Sequence, residues 1–348
     1  MKYFYSQKSL KDTGVIEFTL RHLPGYEGDE YTVSPLQKGG SGRKYYRIWF
    51  RGGSSVILVR YTQERTENAH YVNIAKFLAT AGVRVPRIHF HEPKAGLILM
   101  EDLGEKDLWS YRHASWAARR PLYESALSQV FLIHRETRLP TLNLKMELEF
   151  DERLYLWEQQ YFFENCLENI WKVETSALRA LPALQKIALR LADLPRTLVH
   201  RDFQSQNIII LSGKAYLIDF QGMRPGLGLY DVASLLYDPY ADLAIEERRE
   251  LLEFYKNLCG DSSLLQEDDF ETTFLMCAMQ RLMQALGAYG FLGLKKQRQN
   301  FLQYIPVARR LLREVAISIG NLDSLVETLE RTALECTNDS FSYREVRQ

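Results

Sequence analysis

Apolar and polar positions divide the chain into two stretches of different rhythm. Up to about residue 103, short apolar runs alternate with glycine turns. Residues 43–50 are rich in β-formers, Gly52-Gly53 makes a turn, and 55–61 (SVILVRY) reads as a buried strand, so the pair predicts a hairpin. Tyr71, Ile74, Ala75 and Leu78 fall at i, i+3, i+4 and i+7, which predicts a helix over 64–79 with Gly82 as its stop. Residues 83–90 and 97–100 read as further strands. Glu101-Asp102-Leu103-Gly104 then breaks the pattern.

Beyond that break the apolar period becomes helical. Tyr123, Ala126, Leu127, Val130 and His134 share one helical face, the aromatic stretch 151–173 reads as one long helix, and 177–191 reads as another. Residues 208–211 and 215–218 flank Ser212-Gly213-Lys214 as a short hairpin. From 241 onward the chain reads as helical, with Leu322, Leu325, Val326 and Leu329 marking the last helix. The expected organisation is α+β: a strand-rich lobe over 1–103, a larger helix-rich lobe over 104–335 and a polar tail over 336–348.

Charge and composition remove several function classes. The 348 residues carry 44 Lys+Arg against 44 Asp+Glu, so the chain lacks the basic excess of nucleic-acid binders. Its apolar runs are shorter than the ~18 residues of a membrane span, and its start lacks a secretory h-region. Cys166, Cys259, Cys277 and Cys336 form no C-x-x-C pair, which suits a reducing, cytoplasmic setting and no disulfide framework. His89 and His91 alternate in a predicted strand without the ligands of a metal site, and Lys295, Lys296 and Arg298 read as a solvated basic face.

The chemistry concentrates in Leu198-Val199-His200-Arg201-Asp202-Phe203-Gln204-Ser205-Gln206-Asn207, an H-x-D with Asn five residues on. Across the predicted hairpin lies Ile218-Asp219-Phe220. Phosphoryl transfer uses such parts: one carboxylate to orient the acceptor hydroxyl and take its proton, and an Asn with a second carboxylate to hold Mg²⁺ on the phosphates. Gly39-Gly40-Ser41-Gly42, before a strand, reads either as a hairpin turn or as a loop whose amides approach phosphates. The downstream Asp motifs favour the second.

With these motifs in hand, the chain resembles the aminoglycoside phosphotransferase and choline kinase superfamily, within it the N-acetylmuramate/N-acetylglucosamine anomeric kinase group. The resemblance rests on Gly40 to Arg47, Leu99 to Gly104, Val199 to Asn207, Ile218 to Gln221 with Tyr230 to Leu236, and Gln284 to Phe291 with Phe301 to Pro306. It implies a bilobal protein-kinase-like fold, with a small antiparallel-sheet N-lobe and a larger helical C-lobe. It also implies an ATP- and Mg²⁺-dependent kinase whose acceptor is a sugar hydroxyl.

Residue by residue, the resemblance makes Asp202 the catalytic base and Asn207 and Asp219 the metal ligands. Gly39, Gly40, Ser41 and Gly42 would cover the phosphates, and Met100, Glu101 and Leu103 the adenine. The lysine expected on the third strand is replaced by Arg60, with Glu67 as its helix partner and Glu64 as runner-up. Asp151, Glu158, Tyr161, Gln221 and Asp231 are acceptor-site candidates, with Gln280, Arg281 and Gln284 behind them. His200 is expected to be structural. For Asp231 an anchor of the catalytic loop is the favoured alternative, and the aromatics of 150–163 read equally as core. Two rival functions stay open. One is an aminoglycoside, choline or homoserine phosphotransferase, for which an acid-lined cleft would be required. The other is a nucleotide-binding regulator without catalysis.

Overall fold

Among the described residues, five strands build the predicted sheet. β1 (Tyr31–Leu36), β2 (Lys44–Phe50), β3 (Ser55–Arg60), β4 (Ile88–Glu92) and β5 (Leu97–Glu101) pair antiparallel in the order β1-β2-β3-β5-β4. The computed structural model describes residues 23, 31–36, 43–62, 66–135, 144–260 and 270–338. The glycine stretch 39–42, with Gly39, Gly40, Ser41 and Gly42, and also Glu64, lie outside the described residues. Only 88–92 of the expected 83–90 and its flank is strand; Val83 and Val85 are buried without strand pairing.

Both faces of the sheet are covered. Ile57, Val59, Ile98 and Met100 face the core shared with the helices. Val56, Leu58, Leu97 and Leu99 face a smaller outer cluster with Ile48, Phe50 and Leu23. Double coverage explains why β3 reads as an unbroken apolar run. Helix α1 (Thr66–Thr80) packs on the inner face. Its Tyr71 stacks on Phe220, ring centroids 4.7 Å apart, which couples α1 to the turn carrying Asp219.

The helical lobe comprises α2 (Trp116–His134), α3 (Glu152–Phe162), α4 (Pro182–Asp193), α5 (Gly228–Leu236), α6 (Ile245–Cys259), α7 (Phe270–Gly290), α8 (Ile305–Ile319) and α9 (Asp323–Asn338). Helix α9 runs through the start of the expected polar tail at 336. Helix α7 is the axis, packed against α3, α5 and α8. The helix expected over 151–173 stops at Phe162 and passes into a wider π-type turn, Phe163–Glu168. There Asn165 Nδ2 donates to Tyr161 O, a side chain competing with the helical ladder. Gly290 of α7 admits this turn: a Cβ there would lie 2.0 Å from Asn165 O.

Two small hairpins frame the motifs. β6 (Thr197–Val199) pairs with β9 (Arg224–Gly226), and β7 (Ile208–Leu211) with β8 (Lys214–Leu217). The loop after β6 carries Asp202 and the loop after β8 carries Asp219. Because β9 returns to β6, the two loops leave side by side.

Candidate active site

The Asp202 loop is held by buried carboxylates beneath it. Asp231 of α5, fully buried, accepts from His200 N at 2.6 Å and from Arg201 N at 2.8 Å. His134 Nε2 lies 3.1 Å from the same carboxylate, and His134 Nδ1 lies 2.8 Å from Tyr255 Oη. At the other end Asp238 accepts from Ser205 N at 2.8 Å and Tyr240 N at 3.0 Å. Burial pushes the Asp238 carboxyl up, against the Ser205 and Tyr240 hydrogen bonds. Arg201 takes a left-handed φ of 77°, a conformation that needs such over-determination in a residue with a Cβ.

Direct bonds then join the two loops. Ile218 N donates to Asn207 O at 3.0 Å, and His200 Nε2 lies 3.0 Å from Ile218 O. Asn207 Nδ2 donates to Asp202 O at 2.9 Å, which turns the amide oxygen away from that carbonyl. Asp219 sits at φ 63°, and its Oδ1 accepts from Gln221 Nε2 at 2.9 Å and Arg43 Nη2 at 3.0 Å. Asp202, Asn207 and Asp219 all line one inter-lobe cleft of about 790 Å³. One carboxylate and one amide oxygen are the hard, sparse donor set that Mg²⁺ accepts when phosphates supply further ligands, so the residues fit that ion.

Burial alone would raise the Asp202 pKa. The guanidinium of Arg201, at 2.8 Å, and then that of Arg281, at 3.6 Å, hold it below the usual carboxylate value. Asp202 is therefore ionised at neutral pH and able to accept a hydrogen bond from a hydroxyl.

On the sheet side, Met100, Glu101 and Leu103 line the cleft where the resemblance put the adenine. Below them Arg47 clamps the end of β5 to the following loop. It binds Asp102 at 2.5 Å and also Glu105, while Ser55 Oγ and Gly104 N donate to Asp102. Burial would raise the Asp102 pKa, and these Arg47, Ser55 and Gly104 bonds bring it down.

Arg60 is a correction. In the register of the sheet it pairs with Lys44 on one side and Leu97 on the other, which places it on the outer face, exposed, with the cleft on the opposite side. Expecting it in the lysine's place was off by one residue of strand parity. Glu67 adds to the negative field around Arg43.

The acceptor candidates separate. Asp231 is sealed under the loop as its anchor, and Gln221 is spent on Asp219. Asp151 caps α3 through Leu154 N at 2.9 Å and pairs with Arg153. Glu158 is buried and accepts from Tyr230 Oη at 2.6 Å. Burial pushes its pKa up to about 7, against that hydrogen bond and the fields of Arg201, Arg281 and Arg224. Tyr161 stacks on Trp157, centroids 4.9 Å apart. None of these five lines the described cleft beside Asp202. That wall is built by Gln204, Tyr240, Arg281, Gln284, Tyr289 and Phe301. Arg281 and Gln284 were among the weaker candidates. The aromatics and Gln204 were missed, because nothing in their spacing separates a cleft wall from a core face. Arg43 and Arg47 fall inside the Gly40 to Arg47 stretch of the resemblance but were given no role of their own there.

Known proteins resemble the chain in the same terms. A protein named N-acetylmuramate/N-acetylglucosamine kinase from Pseudomonas aeruginosa is 24% identical over 304 residues, covering 86% of this chain and 87% of its own. Its namesake from Neisseria meningitidis is 24% identical over 301 residues, covering 82% and 86%. Among solved structures, a choline/ethanolamine kinase family protein from Mesorhizobium loti superposes with a TM-score of 0.61 at 13% identity, covering 92% of this chain and 99% of its own. Aminoglycoside phosphotransferase APH(2'')-Ib with ADP bound gives 0.58 at 13% identity, with the same coverage. These share the protein-kinase-like fold, a five-stranded antiparallel sheet before a helical lobe. The phosphotransferase enzyme family matches residues 32–265, a span that takes in the sheet, the catalytic loop and Asp219, and the chain belongs to that family.

Proposed function

We propose that this phosphotransferase moves the γ-phosphoryl group of ATP to a sugar hydroxyl, the anomeric hydroxyl of an N-acetylated amino sugar. The observation that carries the acceptor class is the charge of the wall beside Asp202. The described residues there are amides, aromatics and the arginines Arg281 and Arg298. Of the other acids that line the cleft, Glu101, Asp102 and Glu105 belong to the end of β5 and the segment after it, Asp107 bridges to Ile209, and Asp219 is the carboxylate read as a metal ligand. A cationic acceptor such as choline or an aminoglycoside would require acids on that wall. Aromatic faces and amides suit a sugar, and the arginines suit an acidic substituent on it. The names of the 24%-identical relatives point the same way.

In this reading Asp202 accepts the hydrogen bond of the attacking hydroxyl and takes its proton as the new P–O bond forms. The terminal phosphoryl passes in line from the nucleoside diphosphate to that oxygen, with no covalent enzyme intermediate. Asn207 and Asp219 would hold Mg²⁺, which when bound supplies charge neutralisation on the phosphates. Met100, Glu101 and Leu103 would receive the adenine, and residues 39–42 the phosphates.

An acceptor screen by mass spectrometry tests this. The unaltered protein and Asp202→Asn would meet Mg·ATP with N-acetylmuramate, N-acetylglucosamine, other hexoses, choline and an aminoglycoside. An acid-labile sugar phosphate made only by the unaltered protein is the expected result. Phosphocholine or a phosphorylated aminoglycoside as the sole product would overturn the acceptor class.

A further inference from the structure

The sheet of this chain brings no cation to the cleft from β3. Within β3 the residues alternate strictly between faces. Ile57 and Val59 look inward, while Val56, Leu58 and Arg60 look outward. The inward position nearest the strand's end is therefore a valine, 3% exposed. A nucleotide bound as proposed above would find no charge there.

One residue on the neighbouring chain segment meets the requirement. Tyr45 and Arg47 of β2 pair with Val59 and Ile57, so they share the inward face, and Arg43 precedes Tyr45 by two. Its side chain is 6% exposed, and its guanidinium reaches Asp219 Oδ1 at 3.0 Å. Burial works against its charge, yet its pKa is raised, through Tyr45, Asp219 and Glu67 in turn. The guanidinium is thus bonded to Asp219 and also lies in the field of the Glu67 carboxylate of α1. Of the other arginines near the cleft, Arg298 lines the acceptor wall and three attend other carboxylates. Arg47 is tied to Asp102 and Glu105, and Arg201 and Arg281 attend Asp202.

We infer that Arg43, delivered from the edge of β2, is the cation that grips the nucleotide's phosphates in this chain, in place of a β3 side chain. The inference rests on the reading that Mg·ATP occupies this cleft. Val59, Tyr45 and Arg43 line one small cavity with Asn68 and Tyr71, so a cation sent from position 59 would end in the same space. A guanidinium also binds phosphate through two parallel N–H donors, which a lysine cannot do, so the exchange changes geometry and not charge. Asp219 Oδ1 serves as the resting partner of Arg43.

The experiment is calorimetric binding of Mg·ATP together with steady-state turnover. The proteins are the unaltered chain, Arg43→Gln, Arg43→Ala, Arg60→Gln and Arg43→Ala combined with Val59→Lys. Circular dichroism checks that each is folded. Arg43→Gln retains bulk and loses only charge. It is expected to weaken nucleotide binding about tenfold and kcat about 100-fold. Arg60→Gln is expected to stay within about twofold on both. The Val59→Lys combination is expected to recover at least about tenfold of the kcat/KM lost in Arg43→Ala. If the unaltered protein binds Mg·ATP and Arg43→Gln binds and turns over equally well, the inference falls while the nucleotide reading stands. A loss in Arg60→Gln matching that of Arg43→Gln would overturn it too. If the unaltered protein binds no Mg·ATP, both fall together.

Discussion

The two walls of the cleft are held by different means. On the helical side the Asp202 loop hangs from buried carboxylates, Asp231 and Asp238, which take backbone N–H groups of residues 200, 201 and 205. On the sheet side the groups are fixed by side-chain ion pairs across strands and loops, Arg43 with Asp219 and Arg47 with Asp102. Backbone bonds to a sealed carboxylate leave one geometry. The Arg47–Asp102 pair is sealed, but Asp219 is about a third exposed, so in the reading above a ligand's phosphates compete with it for the Arg43 guanidinium. The helical side is thus built for preorganisation and the sheet side for capture.

The largest effect sharpens the helical half. Asp202→Asn keeps the loop's shape and removes the proton acceptor, so kcat falls by three to four orders of magnitude, about 5 kcal/mol of barrier, with nucleotide affinity unchanged. Single-turnover kinetics with calorimetric binding read the two separately. A parallel fall in nucleotide affinity would mean that Asp202 serves the phosphates. Asp231→Ala comes next. It strands two buried N–H donors, at about 2 kcal/mol each, so denaturant unfolding registers about 4 kcal/mol lost and the folded remainder turns over poorly. An unchanged unfolding midpoint would dissolve the contrast between the walls.

The third prediction concerns pH. Glu158 has its pKa raised to about 7 by burial, against the model-peptide 4.5 of the unfolded chain. Between these values the folded protein keeps a proton that the unfolded chain has released. The neutral carboxyl's contribution is therefore complete below about pH 4.5 and is lost as pH climbs to about 7, roughly 3 kcal/mol in all. Glu158→Gln removes this group alone. The unaltered protein should lose more stability between pH 4.5 and 8 than Glu158→Gln does, as read by chemical denaturation at each pH. Equal losses would place an ionised Glu158 beside Arg201 and Arg281.

Part of this contrast is legible in the amino-acid sequence. Asp202, Asn207 and Asp219 are legible because their chemistry is local: fixed spacings within one loop and across one short hairpin. Position on the sheet side is not local. A strand covered on both faces has no polar alternation, so Val56-Ile57-Leu58-Val59 gives no sign of which face Arg60 takes. Only the register with Lys44 and Leu97 decides it. β1 escaped for another reason: Tyr31–Leu36 contains Pro35, tolerated because the strand lies at the sheet's edge. The end of α3 at Phe162 depends on Asn165 and on Gly290, more than a hundred residues away.

The smallest effect tests whether an acid near the acceptor end belongs to the contrast at all. Asp151 lies at the start of α3, and its Oδ1 accepts from Leu154 N at 2.9 Å, the bond of a helix N-cap. A cap is replaceable by chemistry and not by charge: serine accepts the same N–H, alanine does not. Asp151→Ala should therefore cost about 1 kcal/mol of stability, and Asp151→Ser should restore most of it. Acceptor KM should be the same in all three proteins, because the carboxylate is spent on the helix. If instead KM rises several-fold in both variants, with stability restored in the serine form, the charge is what matters. Asp151 would then join Arg281 and Gln284 on the acceptor wall, and that wall would carry an acid after all. An acid there would weaken the case for a neutral or acidic sugar drawn from its charge.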